Sequence, residues 1–402
     1  MSELLPKAEL PVVVLKARSD RRVKSGHRWL YSNEIDQNRS QCRDLEVGQM
    51  VSVVNSNHDP LGSAFFNSNA LLCGRLYSKK TNVAFSSDIL TQRISAALEW
   101  RSRCYSAPFY RLVYGDGDDL PGLVVDRYGD VLVLQITNAG LMQFRASICE
   151  VLQRVLAPTG ILLRNDNENS IEQLPACTEV IYGSVPDIVN MEENGVHFAV
   201  PVMEGQKTGW FYDHRESRAL LAKYSANKSV LDVYCYLGGW GRQALASGAQ
   251  SLVCIDSSAT ALEAIVEQEK NYSERVQVIK ASAIEALKSL INSGQQFDVV
   301  VLDPPAFIKR RKDQRSGEKA YHHINQLAVK LLTENGLLVS ASCSLHLSGE
   351  ALTSIVETAA HKIGKTAMIV HQGGLGADHP MHPKIPEMDY LKAVFARVVA
   401  EV

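Results

Sequence analysis

Three places in this sequence carry residue types that can do chemistry, and each lies at the end of an apolar run. The first is Cys343, which follows Leu338-Val-Ser-Ala-Ser342 and precedes Ser344. A thiol just past a core strand is a candidate nucleophile. The second is Asp303, which ends Asp298-Val-Val-Val-Leu and leads into Pro304-Pro305-Ala306-Phe307. Two prolines fix φ and leave the carboxylate and the following carbonyls facing a cleft. The third is the stretch from Ser229 to Asp256. There an apolar strand runs into Leu237-Gly238-Gly239-Trp240-Gly241, and a second strand ends in an acid 18 residues after Gly238. Glycines let the backbone approach a ligand, and a carboxylate at that offset suits ribose hydroxyls. The stretch therefore reads as the site of a nucleoside-containing cofactor.

Nicotinamide enzymes place G-x-G-x-x-G at such a turn so that a pyrophosphate can approach. Here Trp240 stands in the glycine run and is expected to crowd a pyrophosphate, whereas S-adenosylmethionine carries no phosphate. A purely structural turn is the alternative. Upstream, Glu204-Gly-Gln-Lys207-Thr208-Gly209-Trp210-Phe211-Tyr-Asp213-His214-Arg215 gathers cation, anion, hydroxyl and aromatic groups around a glycine. Cys235 and Cys254 lie inside apolar strands and are expected to be packing residues.

The elements that must position these groups follow from periodicity. Short strands Val12–Leu15, Met50–Val54, Gly62–Phe66 and Leu71–Tyr77, punctuated by Gly and Asn, predict a small β-barrel over residues 1–80. A helix over 87–102, the Gly115-Asp-Gly-Asp-Asp-Leu-Pro-Gly122 turn, a hairpin over 123–136 and a helix over 141–156 predict an α+β domain at 81–195. From Ser229 onward strands and helices alternate, which implies a doubly wound parallel sheet of Rossmann type within a domain at 196–402. Strands are predicted at 230–234, 251–256, 276–281, 298–303 and 337–342, and segments 367–371 and 390–400 as an antiparallel edge hairpin. The fold class is α/β.

Length, charge and cysteine usage narrow the function. At 402 residues the chain should hold two or three domains, and 46% apolar with 21% charged residues fits a globular protein. No apolar run reaches membrane-span length, and Met1-Ser-Glu-Leu-Leu-Pro-Lys7 lacks the form of a secretory signal, so a cytoplasmic protein is expected. Eight cysteines without a C-x-x-C pair argue against a metal site or a disulfide framework. The net charge of −2 excludes a uniformly basic nucleic-acid binder, but residues 1–80 hold 12 Lys/Arg against 8 Asp/Glu. Arg21, Arg22 and Lys24 are candidate phosphate contacts, and Lys309-Arg310-Arg311-Lys312 with Arg315 forms a second basic cluster. Solvated loops are the bland alternative for both.

Taken together, His27-Arg-Trp-Leu-Tyr-Ser32, Asp118-Asp-Leu-Pro-Gly-Leu-Val-Val-Asp-Arg127, Gly205–Arg215, the Leu237 turn, Asp-Pro-Pro-Ala-Phe307, Ser-Cys-Ser344, Ala377-Asp-His-Pro380 and Pro386-Glu-Met-Asp-Tyr-Leu-Lys392 span nearly the whole chain. The set resembles the bacterial PUA-containing ribosomal RNA cytosine-C5 methyltransferases of the RlmI type. That resemblance implies an RNA-binding PUA-like barrel, a middle α+β domain, a Rossmann-like catalytic domain, S-adenosylmethionine as cofactor and 23S ribosomal RNA as partner, often with a homodimer. It implies Cys343 and Asp303 as catalytic residues. Asp232, Tyr236, Gly238, Gly239, Asp256, Ser257, Ser282, Asp303, Phe211, Asp213 and Arg215 fall to the cofactor. Lys207, Thr208, Pro304, Pro305 and Phe307 fall to the RNA, with Arg21, Arg22 and Lys24. Two departures stand out. Members commonly carry an acid near the adenine where this chain has Ala281-Ser282-Ala283, so either Ser282 takes that hydrogen-bonding role or affinity for the cofactor is altered. Ala306 leaves no second cysteine beside the Pro-Pro turn. A methyltransferase acting on nitrogen, which needs no thiol, and an RNA-binding assembly factor without turnover are the rivals.

Overall fold

The computed structural model describes residues 9–40, 42–165 and 168–401, so the opening run weighed above as a secretory signal lies outside the described residues. The chain divides into two compact units. One takes residues up to 189 with 201–210 and 377–388, and the other takes 190–200, 211–376 and 389 onward.

The first unit begins with β1 (Val12–Val14), a single helical turn α1 (Arg21–Lys24), β2 (Trp29–Tyr31), β3 (Gln49–Val54), β4 (Pro60–Phe66) and β5 (Leu72–Ser78). The order β1-β3-β4-β5-β2 leaves β1 and β2 at opposite ends. Leu15 then bridges to Ile35 just past β2, and Lys16 N and Asp36 N donate to Glu34 O and Val14 O at 2.8 and 2.9 Å. Those bonds close the sheet as a barrel filled by Val13, Leu15, Leu30, Val51, Val53, Ala64, Phe66 and Leu76. The strand missing from the sequence reading, β2, is three residues long, too short for an alternating pattern to register.

After the barrel come α2 (Ser87–Cys104), β6 (Phe109–Tyr114), β7 (Leu123–Tyr128), β8 (Val131–Ile136), α3 (Ala139–Met142), α4 (Arg145–Leu156), β9 (Gly160–Asn165) and β10 (Cys177–Gly183). Their sheet runs β10-β9-β8-β7-β6, antiparallel except between β8 and β9. The helix expected over 141–156 is broken before Arg145. Phe144 leaves helical geometry and places its ring 5.0 Å from Phe85 and 6.1 Å from Phe65. Burying that ring outweighs one helical turn. Phe65, Tyr77 and Phe85 belong to the same apolar cluster as Leu132, Leu134 and Ile161, so the barrel and this sheet share a core.

The second unit opens with the hairpin β11 (Ile188–Glu193) and β12 (Val196–Pro201), followed by α5 (Arg215–Ala222). Then alternate β13 (Ser229–Val233), α6 (Gly239–Ala246), β14 (Ser251–Asp256), α7 (Ala259–Gln268), β15 (Val276–Lys280), α8 (Ala283–Asn292), β16 (Phe297–Leu302), α9 (Gln314–Lys330), β17 (Leu332–Ser342), α10 (Gly349–His361), β18 (Lys365–Gly373) and β19 (Lys392–Ala400). The seven-stranded order is β15-β14-β13-β16-β17-β19-β18. Alternate residues of each strand face opposite layers: Leu231, Val233, Val300 and Leu302 pack with α8, α9 and α10, and Val230, Val299 and Val301 with α5, α6 and α7. The edge hairpin forms as expected, with its later strand inside, because β19 pairs antiparallel with both β17 and β18. No helix among the described residues is long and apolar enough to cross a membrane.

Candidate active site

Four adjacent strands, β14, β13, β16 and β17, deliver Asp256, Asp232, Asp303 and Cys343 to one edge of the sheet. The strand order reverses between β13 and β16. Ligands of open α/β sheets bind at such a reversal, beyond the carboxyl ends of the strands. Leu302 pairs with Ser340, so Asp303 emerges one step past that register and Cys343 three.

The loop from β13 to α6 is bent hard. Tyr234, Tyr236 and Gly238 adopt φ of 64°, 48° and 76°, and two of the three carry a Cβ that disfavours this region. What holds them is Asp256. Its Oδ2 accepts from Tyr236 N and its Oδ1 from Ser258 N, both at 2.9 Å. Beneath the loop Asp232 is fully buried and accepts from Gly241 N at 2.8 Å. Burial raises its pKa to about 7, and its second oxygen has no hydrogen-bond partner among the described residues. Asp232 thus anchors the start of α6 from below. A Cβ on Gly241 would stand 2.5 Å from Leu252 Cδ1, so that glycine is fixed by packing. Phe211 meets Tyr236 edge-on at 5.7 Å and forms an aromatic wall beside the turn, and Ser257 is exposed next to it.

Trp240 does not stand over the turn. It is buried against His214 and Phe395, and its indole N–H donates to Asp303 Oδ2 at 3.0 Å. The expected crowding of a pyrophosphate by Trp240 is therefore wrong: as the second residue of α6, it points its side chain into the core. Its polar edge instead fixes Asp303, whose other oxygen lies 3.3 Å from His214 Nε2. Burial acts most strongly on both groups and disfavours their charged forms. The Asp303 charge and hydrogen bond nonetheless outweigh it at His214, whose pKa is raised, and His214 and Trp240 outweigh it at Asp303, whose pKa is lowered. Asp303, with 23% of its side chain exposed, is held as an oriented carboxylate.

The sign of these shifts gives a pH window. Asp303 contributes stability that is present above its unfolded pKa and lost as pH falls through its depressed folded value. His214 contributes stability present below its unfolded pKa and lost as pH rises through its raised one. An NMR titration should show the His214 imidazolium persisting above the ordinary value of about 6.5. In Asp303→Asn burial should outweigh the weaker pull of Asp213, and the same resonance should titrate below that value. A variant that titrates like the wild type would remove Asp303 as the cause.

Cys343 is presented by a clamp. Ser342 and Ser344, both fully buried, are bridged by the Tyr321 hydroxyl at 2.8 and 2.9 Å, while Cys343 between them is partly exposed. Strand alternation thus turns the two serines inward and the thiol outward. Lys392, paired in register with Ser342, donates to Ser344 O and Tyr390 O at 3.0 and 2.9 Å. Burial depresses its pKa, and the charges of Asp389 and Cys343 act against that. By contrast, Cys235 and Cys254 are buried, and a mutual hydrogen bond and burial hold the Cys235 thiol well above its ordinary range.

Several residues selected from sequence are placed elsewhere. Thr208 is buried in the first unit, where its hydroxyl donates to Asp126 Oδ2 at 2.5 Å and its carbonyl accepts from Tyr128 Oη. Its hydroxyl and carbonyl are therefore both engaged within the first unit. Lys207, at φ 49°, is exposed. Arg215 is buried with Arg218 on Glu193, at 3.6 Å and 2.7 Å, because two desolvated guanidiniums require an anion. Asp213 accepts from Tyr390 Oη at 2.7 Å. Ser282 caps α8 and donates to Glu285 Oε2, so its hydroxyl is already engaged; the S-x-x-E spacing was the readable signal. Arg22 is bidentate with Glu34 and Lys24 pairs with Asp20 at 2.6 Å, which leaves Arg21 as the exposed member of that trio without an ion pair among the described residues. Pro304 is buried, Pro305 exposed, and Phe307 packs on Tyr321 at 4.7 Å. Sequence reasoning missed His214 as the partner of Asp303, the Tyr321 clamp and Lys392, since nothing local links residues so far apart.

The site can hold a nucleoside-containing cofactor. A left-handed glycine turn opens a helix, a carboxylate stands at the end of β14, and an aromatic pair walls one side. No group of acids, histidines and cysteines among the described residues could hold a metal ion.

Comparison with known proteins places these features in a family. Residues 13–79 match the PUA-like domain, and residues 217–372 match the family described as Conserved hypothetical protein 95. The chain is 31% identical to ribosomal RNA large subunit methyltransferase I of Shewanella denitrificans, over 96% of this chain and 99% of that one. It is 30% identical to the protein of that name from Pseudoalteromonas atlantica, over 93% and 95%. Among solved structures, one from Streptococcus mutans assigned to the SAM-dependent methyltransferases superposes with a TM-score of 0.82 at 21% identity, covering 96% of this chain and 100% of the other. A methyltransferase complexed with SAH gives 0.83 at the same identity and coverage.

Proposed function

The chain belongs to the ribosomal RNA large subunit methyltransferase I family, and on that premise we propose that it methylates C5 of a cytosine in 23S ribosomal RNA through a covalent adduct of Cys343. It is an S-adenosylmethionine-dependent RNA methyltransferase, which puts its work in the cytoplasm where ribosomes assemble; a homodimer is the assembly we expect.

One observation carries the C5 reading. A thiol faces outward between two tethered serines, on the strand beside the Asp-Pro-Pro turn and next to a lysine anchored on the carbonyl that follows it. Methylation of a nitrogen has no use for that arrangement. S-adenosylmethionine supplies an electrophilic methyl group. Gly238, Gly239 and Asp256 would hold it, with Tyr236 and Phe211 at its side. Asp303, kept ionised and aimed by Trp240 and His214, would accept from the exocyclic amino group of the base, and Phe307 would wall the pocket. Cys343 as thiolate adds to C6, a C–S bond forms, and the displaced electron pair makes C5 nucleophilic enough to take the methyl. Loss of the C5 proton then expels the thiolate and restores the ring. With Ala306 in place of a second thiol, that proton passes to another base or to water. An ordinary thiol pKa of about 8.5 leaves little thiolate at neutral pH, and the Lys392 ammonium, on which the Cys343 charge acts, would favour ionisation. The base must be unpaired or flipped, because a duplex hides C6.

Mass mapping of ribosomal RNA from a strain lacking the protein should show one cytosine lighter by the mass of a methyl group, and the purified protein should restore it. A methyl missing from a guanine or an amino nitrogen would transfer the assignment to the rival chemistry. RNA with a full complement of methyl groups would leave only an assembly role.

A further inference from the structure

The segment that joins the Asp-Pro-Pro turn to α9 is short, basic and fixed at both ends. At its start Ile308 is buried, and its amide donates to Ser344 Oγ at 3.2 Å, one residue from the nucleophile. At its end a Cβ on Gly317 would overlap Ile308 Cγ1 and stand 3.0 Å from Phe307 O, so the chain returns tightly onto its own beginning. Between these points lie Lys309, Arg310, Arg311, Lys312 and Arg315 with one acid, Asp313. Arg310 Nε closes on Asp313 Oδ2 at 3.0 Å, and Ser316 Oγ donates to Asp313 O at 2.9 Å, which folds the segment into a turn.

Lys309, Arg311, Lys312 and Arg315 are exposed, and no ion pair involves any of them among the described residues. The N-terminal basic run is partly neutralised: Arg22, Lys24 and Arg28 are paired with carboxylates, whereas Lys16, Arg18 and Arg21 have no ion pair among the described residues. Elsewhere Arg101, Arg111, Arg218 and Arg242 are paired with carboxylates. Four unneutralised cations packed into seven residues repel one another, a cost that an external polyanion relieves. Bolted to Ser344, the ridge cannot drift from Cys343.

We propose that residues 309–315 form an RNA-docking surface on the catalytic unit, gripping the phosphates that flank the target nucleotide. The inference rests on the RNA-methyltransferase reading and adds a surface distinct from the N-terminal barrel. A flipped base lies within a nucleotide or two of its neighbouring phosphates, so a cationic ridge tethered beside the nucleophile registers the strand while leaving the base free to enter.

The test uses the full-length protein with Lys309, Arg311, Lys312 and Arg315 all changed to Gln. Binding of a ribosomal RNA fragment should weaken by about 10- to 100-fold at moderate salt. The log–log salt slope should become shallower by about 0.7 for each single-strand phosphate left unneutralised. The weakening should appear in KM for RNA, with S-adenosylmethionine affinity as the check that the unit has folded. A charge-preserving set, Lys309→Arg, Arg311→Lys, Lys312→Arg and Arg315→Lys, should bind nearly as the wild type does, because phosphate responds to a point charge. Phosphate ethylation next to the target nucleotide should weaken the wild type and leave the Gln variant little changed. Unchanged affinity and slope, equal damage from the charge-preserving set, or interference mapping only to distant phosphates would each overturn the proposal. Since these arms read binding, a wild type that binds RNA through this ridge but transfers no methyl would instead count against the enzymatic reading.

Discussion

Cys343→Ser should lower methyl transfer to RNA by several orders of magnitude while S-adenosylmethionine still binds. Serine keeps the shape, and the clamp of Tyr321 on Ser342 and Ser344 does not involve the thiol, so the edge of β17 should stay in place. What is lost is a soft thiol nucleophile, replaced by a hydroxyl that is far harder to ionise. If the covalent route holds, RNA carrying 5-fluorocytosine should trap the wild-type protein as an adduct stable to denaturing gels, because no C5 proton can leave, and Cys343→Ser should form none. Lys392→Met offers a finer reading. Removing the ammonium beside Ser344 should move the pH at which Cys343 is alkylated by iodoacetamide upward, whereas a lysine that merely props the strand would leave that profile in place. An active Cys343→Ser enzyme, or a product methylated on nitrogen, would sink the adduct.

Arg101→Met should destabilise the first unit by about 3–5 kcal/mol, the range for stranding one partner of a buried ion pair. Arg101 is fully buried in α2. It holds Asp118 through two nitrogens at 2.5 and 2.7 Å and donates to Asp378 O at 2.8 Å. Asp378 in turn accepts from Arg111 N at 2.9 Å and lies 2.8 Å from His379 Nδ1. Without the guanidinium, Asp118 keeps the Tyr114 amide as a donor but loses its counter-charge while its side chain stays largely buried. Urea unfolding should show the loss in midpoint. The double change Arg101→Met with Asp118→Leu should recover part of it, since an apolar pair of similar volume leaves no stranded charge. Equal stability in wild type and Arg101→Met would show that the pair offsets only its own desolvation.

That cluster explains why a motif near residue 118 and another near residue 378 matter to each other. The sequence presents Asp118-Asp-Leu-Pro-Gly122 and Ala377-Asp-His-Pro380 as two separate signatures, each with the look of a functional loop. In the structure Gly117 packs so closely on Pro380 O that a Cβ there would overlap it. The two signatures form one structural joint within the first unit. Thr208 and Arg215 tell the same story: polar side chains in a glycine-bearing loop resemble a binding motif until their buried partners, Asp126 and Glu193, are seen.

What the sequence by itself determined is what short-range physics encodes. Apolar runs of strand length separated by helical periodicity specified the five parallel strands of the second unit to within a residue or two, except where β17 starts early at Leu332. Because a parallel strand delivers whatever follows it to the same edge of the sheet, Asp256, Asp303 and Cys343 were placed beside one another by chain position alone. Tertiary structure decided everything that depends on which side chain meets which. Helix geometry and an available core turned Trp240 inward onto Asp303, so that a residue expected to face the cofactor orients the carboxylate instead. Strand pairing slipped β19 between β17 and β18 and so carried Lys392 to the nucleophile's strand, across 48 residues that give no local hint of the meeting. Hydrophobic pattern is periodic and therefore legible along a chain. The partner of a buried charge is chosen in three dimensions, by the cost of leaving it unpaired.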